Sequence, residues 1–571
     1  MKDVFEKYLL LLRQDRDDKT EHSDRGALLT LLNAAADDAG PGIRIIHEAK
    51  KVAGSGAPDF KVMKAAMILG YVENKTVGEN LDHILKSDQI ARYKALSNNI
   101  LLTDYLQFIW IKDGKVNGRA SIAVQDDLEG RPKKPREDRV KAVSGLLRGF
   151  FSTAPEGIGR AQQLALELAK RSHFLREFLD QELRRQEIEH REGRLYGLYQ
   201  IFRDQVFHEL TLGEFADAFA QMLAYGLFLA KLNSNGETIT LANARRFVPG
   251  SFRLIRELVQ FLDDLSAPEY AGIRWLVEDE ILSMMNGLDL RAIHEDLSFK
   301  HRKAISRKVR AQDEEEHRLF ERDPFVYFYE DFLGKYDAKM KKARGVYYTP
   351  PPIVNFIVRA VDDILKDTFG IANGLADHKR VTVLDFACGT GTFILVLEVL
   401  ERIFENTGGA DSAKAGLIVR DHMLKNIFGF EYLIAPYTIA HLKLSQYLSD
   451  QGHSLNGNER LQVFLTNTLE PIEPQANFLL PAISAEVEAA QRVKDREILV
   501  IIGNPPYSGV SRNMGAAAQK LIERYKYVDE GYFGKRKHWL QDDYVKFIAF
   551  AQKKWMRSRK ASLVLLPTIT T

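Results

Sequence analysis

The chain has 571 residues, 45% hydrophobic and 28% charged, with a formal net charge of +2. That length supports roughly three or four domains of about 150 residues, and the composition excludes a disordered or collagen-like chain. Near-neutral charge excludes a uniformly basic surface, so any nucleic-acid contact must use a local basic patch. A single cysteine, Cys388, excludes an intrachain disulfide framework and predicts a reducing, cytoplasmic setting. No apolar run approaches about 20 residues, which predicts no membrane span. There is no Gly-x4-Gly-Lys-Ser/Thr loop, and so no sign of an ATP-driven motor.

Taken in order, the first segment runs to about residue 125. Leu28, Leu29, Leu31 and Leu32 give helical periodicity between Glu21 and Ala36. Ile43–Ile46 reads as a strand, and Gly54-Ser55-Gly56 as a turn. Pro58-Asp59 then precedes the strand pattern Ile68–Lys75. The spacing of Asp59 and Glu73 suits neighbouring positions on paired strands, and Glu73 and Lys75 share one strand face. Two carboxylates and an ammonium gathered there are costly as pure structure. They make sense around Mg²⁺, with Lys75 orienting or polarising an attacking water.

Pro58-Asp59 with Glu73-Asn74-Lys75 resembles the PD-(D/E)xK nuclease core. Gln89 and Tyr93, four apart on one helix face, resemble the Gln-x3-Tyr element that follows that core in some branches. The resemblance implies an α/β nuclease with Asp59, Glu73 and Lys75 catalytic. Asp59 and Glu73 would hold the metal, with Glu21 as a further carboxylate from the preceding helix. Ile100–Asp104 and Leu106–Trp110 continue the sheet.

Gly130–Arg136 is polar, basic and proline-bearing, and reads as a linker. Beyond it, residues 126 to 325 are helix-rich, with a long amphipathic pattern from Gln162 to Arg185. His173, His190 and His208 have no metal-ligand spacing. The basic run Lys300–Arg310 reads as a solvated helix face or a phosphate contact. The segment is expected to be a helical connector.

In the third segment, residues 326 to 571, Thr349 and Pro350 are placed to start the helix Ile353–Leu365. Val381–Asp385 reads as a strand, followed by the Ala387-Cys388-Gly389-Thr390-Gly391 turn and a helix start at Phe393. Glycines there permit close approach of backbone to a ligand, while Asp385 suits a cationic one such as S-adenosylmethionine. A second strand ends in Glu431, which suits a pair of ribose hydroxyls. A third, Leu461–Leu465, precedes Thr466-Asn467. A fourth, Ile498–Ile502, leads through Gly503 into Asn504-Pro505-Pro506-Tyr507, and a last lies at Ser562–Leu566. The alternation predicts a doubly wound parallel sheet. Asn504 and the Pro505 carbonyl offer two rigid acceptors for an exocyclic amine, and Tyr507 offers a flat face for a base.

Tyr348-Thr349-Pro350, Asp385 to Phe393, Gly429-Phe430-Glu431 and Asn504-Pro505-Pro506-Tyr507 occur in the order of the γ-class N6-adenine DNA methyltransferases, which residues 326 to 571 therefore resemble. The resemblance implies a Rossmann-like domain. Thr349 and Asp385 would face the methionine part of S-adenosylmethionine, with the backbone of Ala387, Gly389 and Gly391 near it and Phe393 packing by the cofactor. Glu431 would take the ribose, and Asn467 would lie near the cofactor adenine. That family often has an acid at the last position.

Together the segments resemble a type IIG-like, type ISP-related restriction–modification protein. The implied domains are 1–125 nuclease-like, 126–325 connector and 326–571 methyltransferase. Double-stranded DNA is the implied partner. The expected closing hairpin and target-recognition domain find no residues after the last strand, which suggests a fragment or a separate specificity chain. The alternative is an adenine DNA methyltransferase, or a DNA-binding defence subunit, whose nuclease-like segment is inactive.

Overall fold

A computed structural model describes residues 1–14, 24–47, 57–64, 67–128, 134–153, 158–189, 193–298, 324–336, 351–389, 394–457, 459–471, 480–506, 513–528, 531–532, 538–557 and 563–565. The chain forms two compact units. One is residues 1–159 with 265–289, and the other is 160–264 with 290–571. The helix-rich middle of the sequence is thus shared between them.

The first unit is built on a six-stranded sheet in the order β1 (Ile43–His47), β2 (Phe60–Lys64), β3 (Met67–Asn74), β4 (Asn99–Thr103), β5 (Gln107–Lys112) and β6 (Lys115–Ser121). Only β3 and β4 pair in parallel; the helix Asp88–Leu96 lies between them in the chain, as a crossover requires. Ser87 caps that helix by accepting from the Ile90 N–H at 3.3 Å. On one sheet face Ile90 and Tyr93 pack with Ile100, Leu102, Ile109 and Ile111. On the other lie the helices Lys2–Gln14, Arg25–Ala39 and Glu137–Phe151. The middle helix buries Leu28, Leu31, Leu32, Ala35 and Ala36, a helical stripe. Each such leucine contributes about 1.5–3 kcal/mol of transfer free energy. The β5–β6 turn uses Asp113 and Gly114, both at positive φ (51° and 75°), as a tight hairpin demands.

The second unit contains a five-stranded, wholly parallel sheet. Its strands are β7 (Val383–Asp385), β8 (Ile427–Glu431), β9 (Gln462–Leu465), β10 (Val500–Ile502) and, after the small hairpin β11 (Tyr527–Val528) and β12 (Gly531–Tyr532), β13 (Leu563–Leu565). The spatial order is β13-β10-β7-β8-β9. Strands therefore run outward from β7 to β9, and the chain then returns to lay β10 on the other flank of β7. That reversal opens a crevice at the carboxyl ends of β7 and β10. Leu384, Phe386, Phe428, Phe430, Phe464 and Ile501 form the core with Phe547 and Phe550 of the helix Asp543–Arg557.

The helix Leu212–Leu232, also in this unit, is long and apolar enough to cross a membrane, contrary to the expectation from apolar runs. It is buried along almost its whole length. A core helix surrounded by protein on all sides is apolar all round for that reason.

Candidate active site

Parallel strands put their carboxyl ends on one edge, and the registers show which residues meet there. Ile502 pairs with Asp385, Asp385 with Gly429, and Glu431 with Leu465. Asp385, Glu431, Asn467 and Asn504 are thus brought to one sheet edge from four places in the sequence.

Asp385 is fully buried. Its Oδ1 accepts from the Ala387 N–H at 3.1 Å, while its Oδ2 has no hydrogen-bond partner among the described residues. Burial pushes the carboxyl up to about 8; the Ala387 N–H opposes this and the neighbouring Glu431 charge adds to it. Glu431 Oε1 accepts from the Leu433 N–H at 2.7 Å. Burial pushes Glu431 up to about 7, against the N–H groups of Leu433, Gly389 and Tyr432. Gly389 has φ of +59°, the left-handed turn that brings this backbone to the carboxylate. The Cys388 N–H donates to the Phe430 carbonyl at 2.9 Å, tying the turn to β8. Burial pushes the Cys388 thiol well up, which suits packing rather than nucleophilic attack.

Gly503 joins the motif loop to this acid. A Cβ at Gly503 would stand 3.0 Å from Asp385 Oδ1, and φ there is +154°. The backbone entering Asn504 therefore runs directly against the Asp385 carboxylate. Asn504 and Pro505 are buried and Pro506 half-buried. Asn467 is buried in the turn after β9; its Oδ1 accepts from the Leu469 N–H at 3.0 Å. The Thr466 hydroxyl beside it is buried without a partner among the described residues. Thr349, Gly391, Phe393 and Tyr507 lie outside the described residues.

Two buried oxygens without partners among the described residues, Asp385 Oδ2 and Thr466 Oγ1, stand at the strand edge that holds Asp385 and Glu431. Such a donor set fits a ligand with an amino cation and hydroxyl groups, and S-adenosylmethionine has both.

The first unit holds the second group of expected residues. Asp59 immediately precedes β2 and Glu73 follows Val72 on β3, so the two flank the Phe60–Val72 register pair at the same end of the antiparallel ladder. Both carboxylates are fully buried. Glu73 Oε1 accepts from Lys75 Nζ and from Gln89 Nε2, each at 2.8 Å, and Oε2 accepts from the Tyr93 hydroxyl at 3.3 Å. Burial, reinforced by Glu73, pushes the Tyr93 phenol up, so it stays a donor. Asp59 Oδ2 accepts from the Asn74 N–H at 2.8 Å. Its Oδ1 is held by the Arg25 guanidinium at 2.7 Å, with Arg25 itself nearly buried. Arg25 was not singled out in the sequence, since an ion pair 34 residues apart has no local signature. Among the described residues no cluster of three or more potential metal ligands forms. Glu21 lies outside them. The two carboxylates are hard-oxygen donors of the kind Mg²⁺ takes, but Arg25 occupies one of them here.

Comparison with known proteins bears on the second unit. Residues 320–569 match the family described as N-6 DNA methylase. This part of the chain is an N-6 DNA methylase domain. The family implies S-adenosylmethionine as methyl donor, consistent with the donor set just described. No curated protein matches the chain. Among solved structures, the protein of the cryoEM DrdV–DNA complex is similar at 21% identity over 99% of this chain and 49% of that one, with a TM-score of 0.48. The ATP-dependent type ISP restriction–modification enzyme LlaBIII, bound to DNA, is similar at 18% identity over 74% of this chain and 26% of that one, TM-score 0.47. The type IIG restriction endonuclease BpuSI is similar at 12% identity over 92% and 49%, TM-score 0.31. This chain spans half the length of these proteins or less.

Proposed function

We propose that the chain is a restriction–modification enzyme. Its methylase domain methylates adenine N6 in double-stranded DNA, and its first unit cleaves unmodified DNA with Mg²⁺. The approach of Gly503–Asn504 to the Asp385 carboxylate carries the methylation reading. It brings a pair of amine acceptors beside an acid suited to an amino cation.

In this reading Asp385 takes the cofactor's amino group and Glu431 its ribose hydroxyls. S-adenosylmethionine supplies an already activated methyl group, so the protein's part is placement. The target adenine must leave the duplex stack. Asn504 Oδ1 and the Pro505 carbonyl accept its two N–H bonds, fixing the nitrogen lone pair in direction, and Tyr507 stacks on the base. Incubation with methyl-labelled cofactor and mixed-sequence DNA tests this. Label should appear in adenine N6 and fall by about 10²–10³-fold in Asn504→Ala; label on another base, or none with the unaltered chain, overturns it.

For cleavage, Asp59 and Glu73 would hold Mg²⁺ and Lys75 would orient the attacking water. The buried Arg25–Asp59 pair favours the second reading, a methyltransferase whose nuclease-like unit is structural. Nicking of unmethylated DNA with Mg²⁺ that is lost in Asp59→Ala and Glu73→Ala decides for cleavage. No change in either variant decides for the second reading.

A further inference from the structure

The turn carrying Asn467 is tied from several sides. Lys494, buried on the helix Pro481–Asp495, donates to the Asn467 carbonyl at 2.5 Å and to the Glu470 carbonyl at 2.7 Å. Gly515 runs against the same turn, since a Cβ there would fall 2.1 Å from Glu470 Oε1. Two residues earlier, Asn513 Oδ1 accepts from Asn467 Nδ2 at 2.8 Å. Asn513 Nδ2 in turn donates to Asp543 Oδ2 at 2.8 Å. Asp543 opens the helix Asp543–Arg557, with Lys546 Nζ 3.6 Å from its other oxygen.

An amide presents an acceptor at one end and a donor at the other in nearly the same shape, so its partners decide which way it points. The Asp543 carboxylate offers acceptors only. Asn513 must therefore turn its NH₂ toward Asp543 and leave its oxygen for Asn467. Asn467 must answer with its own NH₂. The Leu469 N–H, which can only donate, demands the same orientation from the opposite side. The Asn467 amide is held at both ends, and among the described residues Oδ1 accepts one hydrogen bond, that from Leu469.

We infer that Asn513, oriented by Asp543, is a positioning residue that fixes Asn467 as an acceptor toward the exocyclic amine of the cofactor's adenine. This rests on the proposed reading of the sheet edge as the cofactor site. The loop after the Asn504 motif thereby sets the polarity of the adenine subsite.

The test is calorimetric binding of S-adenosylhomocysteine to the full chain. Asn513→Ala removes one of the two bonds that hold the Asn467 amide, leaving only the Leu469 N–H, and should weaken binding about tenfold, the net worth of one hydrogen bond. Asn467→Asp presents an acceptor whichever way it turns and receives no hydrogen bond from Asn513 Oδ1, so its polarity no longer depends on Asn513. In that background Asn513→Ala should cost less than about threefold, a non-additivity that marks direct coupling. An equal loss in both backgrounds makes Asn513 a packing residue and overturns the inference. Asp543→Asn, isosteric and without the acceptor-only constraint, should reproduce the loss even if Asn513→Ala folds poorly; unchanged affinity there overturns it too. The underlying reading has its own control, because Asn467→Ala with unaltered affinity removes Asn467 from the cofactor site altogether.

Discussion

Raising the pH of the ligand-free protein should weaken the methylase domain, because burial favours the neutral form of Asp385. The carboxyl sits near 3.8 in an exposed chain and is pushed up to about 8 by burial. Between those values the folded state keeps a proton that the unfolded state has lost. Stability then falls with rising pH, by about 1.4 kcal/mol per unit for each such proton. It is fully present below pH ~4 and its decline ends as the pH passes the folded value. From pH 5 to pH 7 Asp385 alone costs on the order of 3 kcal/mol, against a typical domain stability of ~5–15 kcal/mol. Glu431, pushed up to about 7, acts in the same sense between its ordinary 4.5 and that value. Thermal unfolding at pH 5, 6, 7 and 9 should show the midpoint dropping by roughly 5 °C or more between pH 5 and 7. Asp385→Asn should remove most of that slope and leave only the Glu431 part. Saturating S-adenosylhomocysteine should flatten the wild-type slope as well, since its amino cation stabilises the carboxylate. A variant whose midpoint tracks the wild type at every pH would refute the reasoning.

Other expectations concern single contacts. Gly503→Ala places a methyl 3.0 Å from Asp385 Oδ1 on a backbone at φ +154°, and should lower S-adenosylhomocysteine affinity at least tenfold; unchanged affinity would mean that the loop and the acid are further apart. Asn504→Ala should cut methyl incorporation into DNA by about 10²–10³-fold, as loss of a preorganised polar contact does, with labelled-cofactor counting as the readout. Arg25→Met removes the guanidinium that offsets the buried Asp59 carboxylate and should cost ~3–5 kcal/mol in denaturant titration. If Asp59 is a cation ligand, millimolar Mg²⁺ should restore part of that loss; no response would mark the Arg25–Asp59 pair as structural.

Much of the strand content was legible because burial on both faces of a parallel sheet demands short apolar runs. Val381–Asp385, Asn426–Glu431 and Leu461–Leu465 all contain observed strands, as does the run Ile498–Ile502. The Asp59–Glu73 spacing foretold the β2–β3 pairing. β6 was passed over: it is a polar edge strand, and its one strong signal was the Asp113-Gly114 turn. Lys494 reads as a surface residue on an amphipathic helix, yet it is buried, and burial lowers its ammonium to about 7. Nothing in its neighbours along the chain announces that two carbonyls from another loop will meet it.

By itself the sequence determined which chemistry was on hand: two acids closing apolar strands, a pair of rigid carbonyls after a glycine, and carboxylates with a lysine near the amino terminus. These are properties of short stretches, set by side-chain type and period. Only tertiary structure decided that β10 returns beside β7, which brings Gly503 to Asp385 across more than a hundred residues. It alone placed Arg25 on Asp59 and linked Asn467 through Asn513 to Asp543. Hydrogen bonds and ion pairs between distant segments leave no periodic trace, because any donor elsewhere in the chain could have served.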